Sequence, residues 1–410
     1  MPPGDTGDTA DSGDDMTDMP TNGLWTFTPS NAVPIELGAF PSVELNSVDC
    51  LIDTLLDNFM CGGVEYNLNT QTRSDHSPLK VWRVNNLNIE DNASLRIVGP
   101  QPFVLLSDND VHIKGVVDLS STDTQRGAGG YLGGASDLND GVGDSYKTVG
   151  CEELPIDTQC RSAEGQNGGA FGGIGGRWST NGVYRSATTF GDESMVPLLG
   201  GGGGAGEARI DNATEVGPKE SRGGDGGGAL QISARNSITL SQGGYITAGG
   251  AGGQNDSPGT ADNTGGGGGA GGGVLLEAPR VTFSSPSFVA VHGGSGASGS
   301  SWDASNNIRY MGLNGVTGPA GAEGALGQSV SNDANDRRGM GGSGSKINVI
   351  DGEDSYGHCS NSSSETVCGG GGGGRIRVNV SEAVEESEVG GVFYPIRSGT
   401  YGNILNETEE

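Results

Sequence analysis

A set of charged residues between positions 108 and 118 is the densest group of side chains that could perform catalysis. The set consists of Asp108, Asp110, Lys114 and Asp118. Clustered carboxylates beside a basic residue are what an enzyme acting on acidic polysaccharides would need on one face of its fold. If one continuous strand spans these positions, its alternation places all four side chains opposite the core. Charged residues on such a face ordinarily contact water, so we predict that they are not catalytic.

The four histidines are far apart in sequence and belong to no catalytic motif. They are His76, His112, His292 and His358. His112 alternates with Val111 and Ile113, so we expect it to face solvent. The chain also contains no G-x-S-x-G elbow, no H-E-x-x-H and no P-loop lysine motif. We therefore predict no catalytic and no cofactor-binding residues.

Acidic residues near His358 present the alternative of a metal site. His358 adjoins Cys359 and follows an acidic group, which consists of Asp351, Glu353 and Asp354. Oxygen ligands suit calcium, but a solvated acidic loop explains the same residues. The Asp-rich residues 1–22 lack the spacing of a 12-residue calcium loop. We predict no metal, with calcium as the alternative.

The six cysteines form three pairs, each close in sequence. The pairs are Cys50 and Cys61, Cys151 and Cys160, and Cys359 and Cys368. Their spacing lacks the C-x2–4-C pattern of a zinc site. Short disulfide-closed loops on an exported protein are the simplest explanation, so we predict local disulfides, with the pairing left open.

Glycine organises the chain, because it accounts for 79 of 410 residues and often recurs at every third position. Three residues per turn is the period of polyproline II, and glycine at that spacing lets neighbouring backbones touch. A flexible linker and a collagen triple helix are the alternatives. Collagen needs more proline than the single Pro319 of the longest register, and the interleaved strands favour packed glycine helices. That register is Gly312, Gly315, Gly318, Gly321, Gly324 and Gly327.

The composition excludes several classes of protein. Hydrophobic residues make up 32% of the chain and the net charge is −29. So little apolar material argues against a wide core, whereas a narrow solenoid core is compatible with it. Nucleic-acid binding needs a basic face and is excluded. No apolar run approaches the roughly 20 residues of a transmembrane helix, and the N-terminus has no signal-peptide pattern.

The chain divides into four regions. Residues 1–23 are acidic and are predicted to be a disordered tether. Residues 24–80 are predicted to form an N-terminal cap, residues 81–405 a glycine-rich β-solenoid, and residues 406–410 a short tail.

A short helix within the cap is predicted from near Ser47 to before Gly62. Such a helix would separate Cys50 from Cys61 by about 16 Å, which is too far for a bridge. The disulfide and the helix are therefore incompatible unless the segment bends, and we retain the disulfide.

The clearest strand signal lies between residues 81 and 121. Five pairs of alternating apolar residues recur there at steps of about eight residues, most of them followed by a turn residue. These pairs are Leu87 and Ile89, Leu95 and Ile97, Phe103 and Leu105, Val111 and Ile113, and Val117 and Leu119. Such strands suit successive sides of a right-handed parallel β-helix, and an antiparallel β-sandwich is the alternative.

A degenerate repeat of glycines followed by a strand occurs in the second half of the chain. Its copies read GGGALQISARNSITL, GGGVLLEAPRVTF and GGGGGGRIRVNV. Together with VNNLNIEDNASLRIVGPQPFVLLSDNDVHIKGVVDLSS, these segments resemble glycine-rich surface proteins of myxobacteria and related bacteria, and are similar to the PGRS-type repeats of mycobacteria. The resemblance implies an exported outer-surface protein, often a lipoprotein of the outer membrane.

We therefore predict an all-β protein whose solenoid bears glycine-rich excursions of polyproline-II type. We expect a non-catalytic, extracellular or cell-surface role in adhesion to glycans or matrix. A β-helix polysaccharide lyase or hydrolase and a passive envelope or coat component are the alternatives. The sequence does not indicate the oligomeric state.

Overall fold

The computed structural model describes residues 25, 27–32, 40–46, 49–73, 77–134, 168–176, 178–180, 183–185, 189–205, 210–211, 215–216, 222–241, 243–255, 265–284, 286–298, 301–303, 308–310, 318, 343–345, 349–354, 369–380, 392–394 and 401–403. Within these residues the regular secondary structure consists of β-strands, and no helix occurs. The all-β prediction is confirmed for this part of the chain.

The strands are short, as the alternating pairs predict. In chain order they are β1 (Val43–Leu45), β2 (Cys50–Asp53), β3 (Asn58–Cys61), β4 (Val64–Asn67), β5 (Asn69–Thr72), β6 (Pro78–Val84), β7 (Leu87–Ile89), β8 (Ser94–Val98), β9 (Phe103–Ser107), β10 (Asp110–Ile113), β11 (Val116–Asp118), β12 (Trp178–Thr180), β13 (Val183–Arg185), β14 (Ile210–Asp211), β15 (Glu215–Val216), β16 (Ala229–Ala234), β17 (Ser237–Leu240), β18 (Tyr245–Thr247), β19 (Gly273–Glu277), β20 (Arg280–Phe283), β21 (Phe288–Ala290), β22 (Ser301–Asp303), β23 (Ile308–Tyr310), β24 (Arg375–Val380), β25 (Val392–Tyr394) and β26 (Tyr401–Asn403).

Three large sheets contain most of these strands. Sheet 1 has the order β1-β7-β10-β17-β20, sheet 2 the order β2-β8-β11-β18-β21-β25, and sheet 3 the order β26-β24-β19-β16-β9-β6-β5. Every neighbouring pair within them is parallel except β5 and β6. An antiparallel sandwich, the alternative drawn from the sequence, is therefore wrong.

The chain visits the three sheets in a fixed order. Strands β6, β7 and β8 belong to sheets 3, 1 and 2, and β9 to β11 repeat that order. Strands β16 to β18 and β19 to β21 repeat it again. Each strand therefore pairs with the strand that occupies the same place in the previous round, as β10 does with β7.

The main core consists of in-register columns of aliphatic side chains. On sheet 1 the column that begins at Val43 continues through Leu87, Val111, Ile238 and Val281, all of which are buried. Sheets 2 and 3 contribute equivalent columns to the same core. Burying each such side chain contributes about 1.5–3 kcal/mol relative to leaving it exposed. The five predicted pairs from Leu87 to Leu119 are all buried, which confirms the strand prediction for this stretch.

Sheet 3 also has a smaller core on its opposite face. Residues 27–32 and the stretch around Met195 and Leu198 cover this face. Asn31 joins the two covering segments, because its side-chain nitrogen donates to the Met195 carbonyl (2.9 Å) and its oxygen accepts from the Leu198 amide (2.8 Å). The N-terminal residues 27–32 therefore lie along a sheet face and contribute to burying it.

A hairpin closes the N-terminal end of the main core. Strands β3 and β4 pair antiparallel, and Phe59 packs against Tyr66 and Trp82 with ring centroids 5.1 and 5.0 Å apart. Cys61 of this hairpin is bonded to Cys50 of β2, with 4.8 Å between the Cα atoms. The helix predicted near Ser47 to Gly62 is wrong, because the chain turns back between β2 and β3. That reversal brings the two cysteines into bonding distance.

Glycine-rich segments connect sheet 2 to the next strand of sheet 3 and lie against one another. We call them the glycine layer: residues 127–134, 168–176, 200–205, 222–228, 248–255, 265–272, 291–298, 318, 343–345, 349–354 and 369–374. Within segment 265–272, consecutive backbone amides donate in turn to three neighbouring segments. Each of these segments therefore accepts a hydrogen bond from every third residue. The three acceptors are segments 248–254, 202–205 and 369–372, at distances of 2.7–3.1 Å.

Three further segments donate to the carbonyls of the same central segment. They are 224–227, 294–297 and residue 169. Segment 265–272 is thus hydrogen-bonded on six sides. The recurrence of each bond direction at every third residue matches the three-residue period that the sequence indicates.

Glycine is required in this layer by close approach of backbones. A Cβ at Gly226 would lie 1.8 Å from the Gly201 carbonyl oxygen, and one at Gly271 would lie 1.8 Å from that of Val291. The layer tolerates a methyl group only at certain places, such as the fully buried Ala270. These segments are packed and hydrogen-bonded, unlike the flexible linker that the sequence offered as an alternative.

Candidate functional site

The charged set predicted on one face does not converge on one site. The chain turns between Ser107 and Asp110 and again at Gly115, so Asp110 and Asp118 belong to strands of different sheets, and Asp108 and Lys114 lie in the bends before and after β10. Asp108 is buried against Arg83 (2.8 Å), and the Asp110 carboxylate accepts from Ser237 (2.6 Å).

The two remaining members of the set pair with different residues. Lys114 pairs with Glu90 (3.0 Å), and Asp118 pairs with Arg96. The assumption of one continuous strand is therefore wrong. Each of the four residues forms its own local contact, and this set provides no pair of carboxylates facing a common substrate.

The histidines and acidic residues are likewise dispersed. His112 is exposed on the outer face of sheet 1, as predicted, and His292 is buried in the glycine layer. Asp351 accepts a hydrogen bond from the Ile174 amide (2.9 Å), which ties two glycine-layer segments together. Within the residues that the structure describes, no group of three His, Cys, Asp or Glu side chains could hold a metal ion.

Several predicted residues lie outside the described part of the chain. They are His76, His358, Cys151, Cys160, Cys359, Cys368, Gly312, Gly315, Gly321, Gly324 and Gly327. Gly318 is described, and its amide donates to the Gly250 carbonyl (2.8 Å). A Cβ there would lie 2.2 Å from the His292 carbonyl oxygen, so this member of the register has the close backbone contact that the spacing predicts.

The glycine layer has an inner end at the sheets and an outer end away from them. At the inner end, two strands of sheet 3 begin: β19 at Gly273 and β24 at Arg375. At the outer end, Gln254 exchanges backbone hydrogen bonds with Arg222 and accepts one from Gly266 (3.0 Å). The Ala297 amide then donates to the Gly266 carbonyl (2.9 Å), so these four residues lie at one level.

Three antiparallel hairpins are inserted in the chain where glycine-layer segments reach this outer end. Hairpin β14–β15 lies between Ala205 and Arg222, and β22–β23 begins three residues after Ser298. Hairpin β12–β13 follows Gly176, whose amide donates to the Gly370 carbonyl (2.7 Å) near the same end. These hairpins, which we call the outer hairpins, are the candidate functional site.

The base of hairpin β12–β13 is clamped by aromatic rings. Phe171, before the hairpin, and Phe190, after it, have ring centroids 5.1 Å apart. The Arg375 guanidinium lies 5.3 Å from the Phe171 ring centroid and donates to the Phe190 carbonyl (3.0 Å). Burial is the main cause that lowers the pKa of Arg375, opposed by Glu193 and Asp192. The two ends of this excursion are therefore held together by the body of the protein.

A buried carboxyl group holds the outer part of the glycine layer. Asp225 Oδ1 accepts from the Gly133 amide (2.7 Å) and from Arg222 (2.9 Å), whereas Oδ2 is buried without a hydrogen-bond partner. Burial raises the pKa of the Asp225 carboxyl, although the Gly133 bond, Arg222 and Arg126 all act in the opposite direction. Asp225 therefore links segments 127–134 and 222–228. Its burial disfavours the charged form of the carboxyl group.

The outer hairpins were not predicted from the sequence. A signal was present: Asn181-Gly182 separates two short strands by two residues, which is the strongest short-range indication of a hairpin. The long glycine-rich surroundings obscured it, because they suggested an excursion without strands.

Comparison with known proteins gives no relative. No protein-family model matches the chain, and no curated protein and no solved structure matches it. None of the described segments forms a helix long and apolar enough to cross a membrane.

Proposed function

We propose that sheets 1–3 form the three sides of a right-handed parallel β-helix. The fixed order in which the chain visits the sheets supports this, because one strand per sheet in each round is what a solenoid requires. We also propose that the glycine layer consists of polyproline-II-type helices packed beside the β-helix. The every-third-residue hydrogen bonds of segment 265–272 support this arrangement.

On this scaffold we propose a non-catalytic, exported cell-surface protein that mediates adhesion to glycans or matrix. The observation behind the proposal is the position of the outer hairpins, inserted at the end of a hydrogen-bonded layer remote from the main core. Binding residues are often found on loops held by a rigid scaffold. The Cys50–Cys61 bond suits an oxidising, extracellular compartment, and the resemblance to myxobacterial surface proteins agrees with export.

Two rival functions lead to different measurements. A β-helix polysaccharide lyase or hydrolase would need converging carboxylates, and the four candidates between 108 and 118 each pair elsewhere. A passive envelope or coat component would need no ligand, so deletion of the protein would alter surface integrity and leave adhesion unchanged.

The test is binding of the purified protein to whole cells, matrix fractions and an immobilised glycan panel, beside a turnover screen on uronate and neutral polysaccharides. We expect saturable binding to at least one surface and no turnover. Turnover that is lost in Asp110→Ala would establish the enzyme instead. Absence of binding to every surface would contradict adhesion.

A further inference from the structure

The outer face of sheet 2 carries a column of side chains that changes abruptly in size. Ser94, Val116, Tyr245 and Phe288 are successive register partners in this column. Their neighbours along the strands, such as Val117, lie in the main core, so alternation directs the column away from it. All four column residues are half-buried. The column therefore has two small members followed by two aromatic ones.

The two aromatic members stack on each other. The ring centroids of Tyr245 and Phe288 are 4.8 Å apart, and the ring planes differ by 10°. In the column, Phe288 and Val116 occupy opposite sides of Tyr245. Among the described residues, no second ring contacts Tyr245. One face of the Tyr245 ring is thus covered by Phe288, and the other is directed towards the small residues.

The small residues leave a recess beside the Tyr245 ring. A tyrosine ring extends well beyond the end of a valine or serine side chain, so Val116 and Ser94 form a low floor next to it. Neighbouring strands are about 4.8 Å apart, so this floor extends about 10 Å from the strand that carries Tyr245. We call the space the tyrosine recess, with Tyr245 as its wall and Val116 and Ser94 as its floor.

An ion pair borders the tyrosine recess. Arg96 and Asp118 lie two residues along the strands from Ser94 and Val116, hence on the same face, and they pair with each other. The Arg96 Nη2 atom is buried without a hydrogen-bond partner among the described residues, so this donor remains for a further acceptor. The pKa of Tyr245 is raised by partial burial and, secondly, by the Asp118 charge, which agrees with a phenol near this carboxylate.

A second ion pair lies beyond the bend at Gly115, on the other side of the floor. Lys114, two residues before Val116, pairs with Glu90 (3.0 Å). Each of the two ion pairs contains one positive and one negative charge, so the borders of the recess are neutral as a whole, although the chain has a net charge of −29. Such borders suit a ligand with hydroxyl groups and no net charge.

We propose that the tyrosine recess binds one ring of a neutral glycan. This inference rests on the proposed adhesive function and specifies a site and a ligand class for it. A tyrosine ring supplies rigid, amphipathic contact area, which suits the apolar face of a sugar ring. Hydroxyl groups both donate and accept hydrogen bonds, so sugar hydroxyls match the Asp118 acceptor and the Arg96 donor beside it. Phe288 holds the Tyr245 ring in place before the ligand arrives, which reduces the entropic cost of association.

The test compares neutral and acidic sugars on the full chain. We would titrate hexasaccharides of glucose, galactose and mannose, and a galacturonate oligomer of the same length, by isothermal titration calorimetry. Thermal unfolding followed by circular dichroism reports the fold of each variant. We expect the wild type to bind at least one neutral hexasaccharide at least tenfold more tightly than the galacturonate oligomer.

One variant fills the tyrosine recess without removing an aromatic or polar group. Val116→Tyr is expected to lower the affinity for the neutral sugar at least tenfold. Its unfolding temperature should not fall, because the new ring can stack on Tyr245 as a cross-strand neighbour. The matched control is His112→Tyr, which places the same residue on the outer face of sheet 1, where His112 is exposed. We expect this control to bind like the wild type.

Further variants separate stacking from hydrogen bonding. Tyr245→Ala removes the wall and is expected to weaken binding at least tenfold, whereas Tyr245→Phe keeps the ring and should retain most of the affinity. Asp118→Asn leaves the charge of Arg96 unbalanced. We expect it to reduce the preference for the neutral sugar over galacturonate at least threefold.

Several results would overturn the inference. They are a wild-type protein that binds no neutral hexasaccharide or prefers galacturonate, Val116→Tyr and Tyr245→Ala variants that bind as tightly as His112→Tyr, and cell adhesion that survives periodate oxidation of the glycans. If the wild type still adheres to cells or matrix in any of these cases, adhesion stands and only the recess assignment fails. If the wild type adheres to no cell, matrix fraction or glycan, the adhesive function fails with it.

Discussion

At the scale of single residues, the glycine layer depends on the absence of Cβ atoms at defined positions. The Gly226 amide donates to the Tyr131 carbonyl (2.8 Å), while its Cα faces the Gly201 carbonyl. A side chain there would meet backbone atoms, which cannot rotate away as a flexible side chain can.

Gly226→Ala should therefore be strongly destabilising. We expect a loss of roughly 3 kcal/mol or more in the free energy of unfolding, above the usual cost of overpacking, because backbone segments must separate. Gly63→Ala is the matched control: Gly63 has a φ of 82° and no atom within 4 Å of a Cβ, so only the backbone cost of about 1–2 kcal/mol applies. Urea unfolding of both variants measures the difference. Equal losses in the two variants would contradict the close packing.

Asp225 provides a prediction about pH. Its folded-state pKa is raised above the ordinary value of 3.8, chiefly by burial, so at a pH between the two pKa values the folded protein holds a proton that the unfolded chain has released. Stability from this group is therefore fully present below pH 3.8 and is lost as pH rises through the folded-state pKa.

Asp225→Asn keeps a neutral acceptor for the Gly133 amide and removes this titration. Relative to the wild type, we expect the variant to gain stability as the pH rises from 3.8 through the raised folded-state pKa of Asp225. Arg222 and Arg126, the cations that face the carboxyl, are unchanged in the variant. Denaturant unfolding at several pH values checks this. A stability difference that is independent of pH would show that Asp225 has an ordinary pKa.

At the scale of elements, the β3–β4 hairpin closes the end of the main core through the Cys50–Cys61 bond. Removing a disulfide that closes a loop of this size costs about 2–3 kcal/mol. We expect Cys50→Ser with Cys61→Ser to lose about that much and to expose Trp82, which packs on Phe59. A red shift of tryptophan emission should accompany the change. An unchanged unfolding free energy would mean that aromatic packing alone holds the hairpin.

Elements with local patterns could be predicted from the sequence. Strands β7 to β11 follow from alternating apolar pairs, and local spacing of the cysteines predicts a disulfide in the cap, although the pairing was left open. The helix near Ser47 was wrong because apolar residues at helical spacing also fit two short strands joined by a turn.

Elements that depend on distant contacts could not be predicted. Whether Asp108, Asp110, Lys114 and Asp118 share a face depends on two turns whose positions tertiary pairing decides. The six neighbours of segment 265–272 come from segments as far apart as residues 169 and 372, and no local pattern specifies which glycines meet. The outer hairpins were missed for a related reason, since their location at one end of the layer exists only in three dimensions.

At the scale of the whole molecule, two kinds of packing stabilise the fold. Columns of aliphatic side chains fill the main core between the sheets, and backbone hydrogen bonds hold the glycine layer. A chain with 32% hydrophobic residues can be ordered in this way, because glycine segments need neighbouring backbones rather than side chains. The outer hairpins are thereby carried on backbone that is itself packed, which the adhesive function that we propose requires.

Native-state amide hydrogen exchange tests the central claim most directly, because it reads the glycine amides individually. We predict that the amides of residues 201, 202, 204, 224, 226, 227 and 266–272 exchange as slowly as those of strands β16 and β19, since each donates to a backbone carbonyl of a neighbouring segment. Exchange of these glycines at the rate of an unstructured peptide, while β16 and β19 stay protected, would contradict the account.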